Sequence, residues 1–236
     1  MTAVRVRVAL VPPAARAARD PGAVRACGVA IDVLRATTTL TAALANGARA
    51  VVPLADTTEA IALRDRDPGG TLACGERDGR IVPGFDLGNS PFEYVPARVA
   101  GRTLAFASTN GSLALRAIAG CRRRLAAAFV NATAVLRALD GEDEVRIVCA
   151  GKLGRFALED AACAGWLCAA LAARGARLEG AAARLAAALA PRDAAGVRAV
   201  VEGASHGRYL RALGPEYAAD VDFCARLDVY ERAFEI

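Results

Sequence analysis

The sequence predicts a layered α/β fold, helices covering a mostly parallel or mixed sheet. Three segments repeat one plan: an apolar strand, a short polar loop, then an Ala/Leu-rich helix. Strands alternating with helices imply a largely parallel sheet covered on both faces. A third observation is the period-two alternation of Val4-Arg5-Val6-Arg7-Val8-Ala9-Leu10, which reads as a strand and not as a leader peptide.

The first unit has its strand at 25–30, a loop at 31–39 and a helix ending near Asn46-Gly47. The second has a strand at 102–107, a loop over Ser108-Thr109-Asn110-Gly111-Ser112 and a helix to Gly120. The third has a strand at 145–149, the loop Ala150-Gly151-Lys152-Leu153-Gly154-Arg155 and a helix over 156–174. Short strands are expected at 50–53 and 127–130, each after one of these helices. Ligands on such sheets bind beyond the carboxyl ends of the strands, where all three loops lie, so one sheet could bring them to one cleft. The Gly/Pro-rich stretch 74–91 is too irregular for a helix, and its Ile81, Val82, Phe85 and Leu87 predict that it is ordered. Beyond Glu179 the pattern is helical, with a break at Pro191. No linker divides the chain, so residues 1–236 are expected to form a single domain.

Composition narrows the function classes. The chain is 55% hydrophobic and 23% charged, which excludes disorder. No run of about eighteen uncharged apolar residues occurs, so no membrane span is expected. Seven cysteines, mostly in apolar runs and without a Cys-x-x-Cys pair, predict reduced buried thiols in a cytoplasmic protein. With one histidine and no ligand spacing, a zinc site is not expected. The net charge of +5 raises nucleic-acid binding, but the dense basic run Arg122-Arg123-Arg124 lacks interleaved aromatics and reads as a solvated helix end. A small polyanionic substrate suits the same charge.

Lys152 is the only lysine among thirty Lys and Arg residues. An ammonium is a compact, strongly hydrated donor that Arg's planar fork does not replace at a tight phosphate site, so its loop is a candidate anion site. Asp32, at a strand end beside threonines, suits Mg²⁺, which takes one or two carboxylates and keeps positions for water and phosphate. Thr37, Thr38 and Thr39 either cap the following helix or hold a phosphate there. Thr109-Asn110-Gly111 is a tight turn that either caps a helix or presents N–H groups to an anion. Glu76 reads as a solvated carboxylate or a ligand, and Asn89-Ser90 before Pro91 as a cap. Any histidine acid–base step must use His206. Asp220, Asp222 and Asp228 read as a solvated face from which one could reach a metal. Cys149 to Arg155 fits the Cys-x5-Arg loop of thiol phosphatases, but Cys74 to Arg80 and Cys168 to Arg174 fit it too, so the pattern is weak in an Arg-rich chain.

Several of these motifs together resemble the 2-phosphosulfolactate phosphatase family. They are Ile31-Asp32-Val33-Leu34-Arg35-Ala36-Thr37-Thr38-Thr39, Gly75-Glu76-Arg77 and Gly84-Phe85-Asp86-Leu87-Gly88-Asn89-Ser90-Pro91. Thr109-Asn110-Gly111, Cys149-Ala150-Gly151, Glu159-Asp160, Ser205-His206-Gly207 and Asp220 with Phe223-Cys224 support them in the same order. The resemblance implies a Mg²⁺-dependent phosphatase that hydrolyses (2R)-2-phospho-3-sulfolactate to 3-sulfolactate and phosphate, a step towards coenzyme M. Ser108 and Ser112 depart from the expected threonines, and the Ala- and Arg-rich tail looks divergent.

The expected roles follow. Asp32 and Glu76 bind Mg²⁺, with Asp220 as a third candidate. Arg35, Thr37, Thr38, Asn89, Ser90, Thr109, Asn110, Gly111 and Arg155 bind the substrate. Lys152 balances charge on the transferring phosphoryl group, and His206 protonates the leaving alkoxide. Attack by water and a covalent intermediate at Asp32 are both open, the absence of an Asp-x-Asp pair favouring water. The expected partner is a small anionic phosphoester, without nucleic acid or membrane, and a homodimer is compatible. The rivals are a phosphatase of another small phosphorylated carboxylate, a thiol phosphatase and a non-catalytic anion binder.

Overall fold

The computed structural model describes residues 3–13 and 21–236. The first elements are β1 (Arg5–Ala9), β2 (Cys27–Ile31), α1 (Ala36–Ala45), β3 (Ala50–Pro53), α2 (Thr57–Arg66), β4 (Thr71–Arg77) and β5 (Arg80–Ile81). Then come α3 (Pro96–Val99), β6 (Thr103–Ala107), α4 (Gly111–Ala117), β7 (Arg123–Ala127), α5 (Ala132–Ala138) and β8 (Glu144–Cys149). The rest is α6 (Leu158–Ala173), β9 (Arg177–Glu179), α7 (Gly180–Ala188), α8 (Ala194–Gly203), α9 (Ser205–Leu213), α10 (Pro215–Cys224) and β10 (Phe234–Glu235).

The predicted layered α/β class holds, with two sheets where one was expected. The larger runs β10-β7-β2-β8-β1-β9 and is parallel except for β10. The smaller runs β3-β6-β4-β5 and is parallel except for the β4–β5 hairpin. The second of the three repeated units therefore sits in a different sheet from the other two. α1 and α4 lie between the sheets, where Leu40, Leu115 and Ile118 pack with Ala30 and Val148 on one side and Leu104 and Phe106 on the other. α6 and the C-terminal helices cover the far face of the large sheet through Leu167, Val197, Leu210 and Val221. α2 covers the outer face of the small one, with Ala60 against Ala73 and Ala105.

Small residues make this layering possible. A Cβ on Gly28 of β2 would stand 2.7 Å from the Ile118 Cβ, so α4 can approach β2 only over a glycine. All five residues of β2 are buried, the composition a central parallel strand requires.

Two local expectations are corrected, and the stretch at 74–91 is ordered as expected. The strand placed at 127–130 lies at β7, and Phe129–Asn131 is a 3₁₀ turn. Arg123 and Arg124 open that strand instead of ending a helix: the Arg123 guanidinium reaches Glu142 at 2.8 Å and Glu235 at 2.8 Å, and Arg124 is exposed. Residues 74–77 belong to β4, because Gly75, at φ 131°, lets the strand pass the Ala107 carbonyl, which a Cβ would meet at 2.0 Å. No helix among the described residues is long and apolar enough to cross a membrane.

Candidate active site

The registers set the site. Ile31 pairs with both Ala127 and Cys149, so Asp32 and the Lys152 loop leave the same edge of the large sheet. Gly75 pairs with Ala107, so Glu76 and the loop at 108–110 leave the matching edge of the small one. Both edges open into one cleft with about 190 Å³ of free volume, lined among others by Asp32, Arg35, Glu76, Asn89, Thr109, Asn110, Lys152 and His206. The three polar loops thus converge, but across two sheets.

Backbone-directed hydrogen bonds hold Asp32. Its N–H donates to the Thr37 hydroxyl at 2.9 Å, which donates to the Ala127 carbonyl at 2.7 Å. Its carboxylate accepts the Ala36 N–H at 3.3 Å. Glu76 accepts the Gly79 N–H and the Thr109 N–H, each at 2.7 Å, which joins the hairpin to the second loop. Asn110 accepts the Leu153 N–H at 2.8 Å and joins that loop to the lysine loop. Asp160, in the first turn of α6, accepts the Val33 N–H at 2.8 Å and the Gly151 N–H at 2.9 Å, and so ties the first loop to the third.

The electrostatics favour a bound cation. Burial, then the charge of Glu76, pushes the Asp32 carboxyl up to about 7. Burial, then the charges of Asp32 and Glu159, pushes Asp160 well above the carboxylate range. Burial lowers Lys152, against the opposing pull of Glu76, Glu159, Asp32 and Asp78. The Lys152 Nζ sits 4.2 Å from the centre of the Tyr209 ring. The Asn89 Oδ1 and Thr109 Oγ1 are buried without a hydrogen-bond partner, although both residues line the cleft. Buried polar atoms are normally paired, and this amide oxygen and hydroxyl are available to a group bound in the cleft.

Mg²⁺ fits this donor set. Two carboxylates and an orphan amide oxygen are hard oxygen ligands, and Mg²⁺ keeps its remaining positions for water and phosphate. No group of three or more His, Cys, Asp or Glu poised for a metal occurs among the described residues. A softer metal's closed cage is not what these residues build.

The structure gives several expected site residues other work. Asp220 accepts Arg35 at 2.6 Å and Ser90 at 2.5 Å, and it faces a neighbouring depression instead of this cleft. It neutralises a buried guanidinium, which removes it from the expected metal set. Arg35 also donates to the Gly79 carbonyl at 2.6 Å, so its fork is largely committed. Ser90 additionally caps the 3₁₀ turn at Pro91–Glu93. Thr37 and Thr38 are fully buried, with the Thr38 hydroxyl donating to the Val33 carbonyl at 2.9 Å; they hold the loop and do not line the cleft. Arg155 is exposed, and its backbone closes the Lys152 turn. Asp78 and Tyr209 line the cleft without having been predicted. Glu159 and Asp160 are buried as well, and their sequence signal is two adjacent acids opening an otherwise apolar, Ala-rich helix.

Cys149 is fully buried and its thiol is pushed well above the thiol range by burial, then by Asp160. All seven cysteines are free and buried. Iodoacetamide applied to the native protein is therefore expected to leave phosphate release unchanged; rapid inactivation would contradict this. A second prediction concerns Gly111, where a Cβ would stand 2.4 Å from the Ala36 Cβ and 2.7 Å from an Asp32 carboxylate oxygen. Gly111→Ala is expected to move Asp32 and cut kcat by about tenfold to a hundredfold. Steady-state kinetics beside a thermal melt check that activity falls further than stability.

A family model described as 2-phosphosulpholactate phosphatase matches residues 15–235. A "Probable 2-phosphosulfolactate phosphatase" of Synechococcus sp. (strain JA-3-3Ab) is 42% identical over 211 residues, 88% of this chain and 87% of its own length. Its namesake in Thermotoga petrophila is 38% identical, covering 86% of each chain. Another in Synechococcus sp. (strain WH7803) is 40% identical, covering 92% of this chain and 88% of its own. The chain belongs to the 2-phosphosulpholactate phosphatase family.

Proposed function

We propose that this protein is a Mg²⁺-dependent phosphatase that hydrolyses 2-phosphosulfolactate to sulfolactate and phosphate. The observation that carries the reading is the convergence of buried Asp32 and Glu76 with the single lysine of the chain in one cleft, in a chain of this family. Asp32 and Glu76 would hold Mg²⁺, with Asn89 Oδ1 beside them. Bound there, the ion would polarise a phosphoryl oxygen and offset charge as the ester breaks.

The chain's own residues supply the rest. The Lys152 ammonium balances the negative charge of the transferring group in a half-buried position, where Coulomb attraction exceeds its value in water. The Thr109 hydroxyl, whose oxygen has no internal partner, donates to an oxygen of the substrate. His206 carries a proton to the leaving alkoxide. Water is the nucleophile in this scheme, since Asp32 serves as a ligand.

The substrate named for the relatives carries a phosphate, a carboxylate and a sulfonate. Kinetics on 2-phosphosulfolactate and on 2-phospholactate, which lacks the sulfonate, test the assignment. A kcat/KM at least about a hundredfold higher for the sulfonate is expected. Equal values would assign the site to small phosphorylated carboxylates at large.

A further inference from the structure

The first turn of α6 carries two consecutive buried carboxylates. Asp160 is accounted for by its two backbone N–H partners. Glu159 is only 2% exposed and accepts no backbone hydrogen bond among the described residues; its charge also acts on Lys152, and the side chain in direct reach is His206, whose Nδ1 lies 3.6 Å from its Oε1. Burying a carboxylate is costly unless a partner compensates it. His206 opens α9, an element of the C-terminal helices, whereas Glu159 opens the helix after the lysine loop. The contact therefore joins two helices at the wall of the cleft.

We propose that Glu159 is a positioning residue that orients His206 as the proton donor to the leaving group. This rests on the reading above that His206 performs that step. An imidazolium carries a proton on each nitrogen. With Nδ1–H held towards Glu159, Nε2–H is left for the cleft that His206 lines. At 3.6 Å the pair is within ion-pair reach but longer than a hydrogen bond, as catalytic pairs often are before substrate tightens them.

The step balances. Water adds its oxygen to phosphorus, and the bond from phosphorus to the ester oxygen breaks with its electron pair remaining on that oxygen. The Nε2 proton passes to this oxygen and gives the alcohol. The attacking water sheds a proton, which returns to the imidazole, leaving hydrogen phosphate.

Because the chain contains one histidine, its imidazole signals need no assignment. The test is a double-mutant cycle on 2-phosphosulfolactate with Mg²⁺, using Glu159→Gln, His206→Ala and their combination, with ¹⁵N imidazole spectra and thermal melts of the full chain. Glu159→Gln is isosteric and is expected to fold. It should lower kcat about ten- to a hundredfold with little change in KM, and alter the ¹⁵N signature of His206. His206→Ala should lower kcat about a hundredfold or more, and the double variant should match it. Multiplicative losses, or an unaltered imidazole spectrum in Glu159→Gln, would overturn the positioning role. Should His206→Ala keep its kcat, the proton-donor reading itself fails, whereas a loss confined to His206→Ala rejects Glu159 alone.

Discussion

Asp32→Asn is expected to abolish turnover, by about a thousandfold or more, while making the metal-free protein more stable. The two effects share one cause. Asp32 is buried beside Glu76, and its carboxyl is pushed from 3.8 up to about 7. A carboxyl whose folded-state value is raised stabilises the fold while protonated, and that stability disappears as pH rises from about 4 through about 7. At pH 8 the metal-free wild type holds a second buried charge beside Glu76. Asparagine removes one charge and keeps an oxygen for the Ala36 N–H. Melts in EDTA at pH 8 should show the variant ahead by roughly 1–3 kcal/mol, a gain that vanishes near pH 4. Mg²⁺ should raise the wild-type melting temperature and leave the variant's nearly unmoved. A destabilised Asp32→Asn would contradict the proposed repulsion.

Lys152→Arg should fold as the wild type does and lose about a hundredfold or more in kcat. Arg can retain the stacking on Tyr209, which now receives the ammonium at 4.2 Å. Its stem is exposed enough that stability should change by no more than about 0.5 kcal/mol. What it cannot reproduce is a compact donor in a half-buried cleft with four carboxylates around it. Steady-state kinetics with Mg²⁺ decide this, and unchanged turnover would mean that the ammonium does not meet the phosphoryl group.

Much of the cleft was legible because the strand–loop–helix units put Asp32, Thr109 and Lys152 at carboxyl ends of strands, where parallel sheets present ligands. The motif at 31–39 also marked a pinned loop, although its threonines turned out to hold backbone. The division into two sheets was not legible. Strand partners are chosen by long-range packing, such as α4 against Gly28, and local periodicity carries no record of that choice. Asp220 misled for a related reason: a carboxylate on a helix looks the same whether it meets a metal or a buried arginine, and only the fold brings Arg35 to it. Glu159 and Asp160 were visible as acids in an apolar helix, but their separate partners lie 47 and 127 residues away along the chain.

The most direct test is phosphate release from 2-phosphosulfolactate by protein stripped with EDTA, before and after excess Mg²⁺ is restored. The proposed Mg²⁺ site predicts negligible release from the stripped protein and full recovery with Mg²⁺, whereas Asp32→Asn should release negligible phosphate in both states. Release that proceeds undiminished in EDTA, or that survives in Asp32→Asn, would contradict a metal held by Asp32 and Glu76.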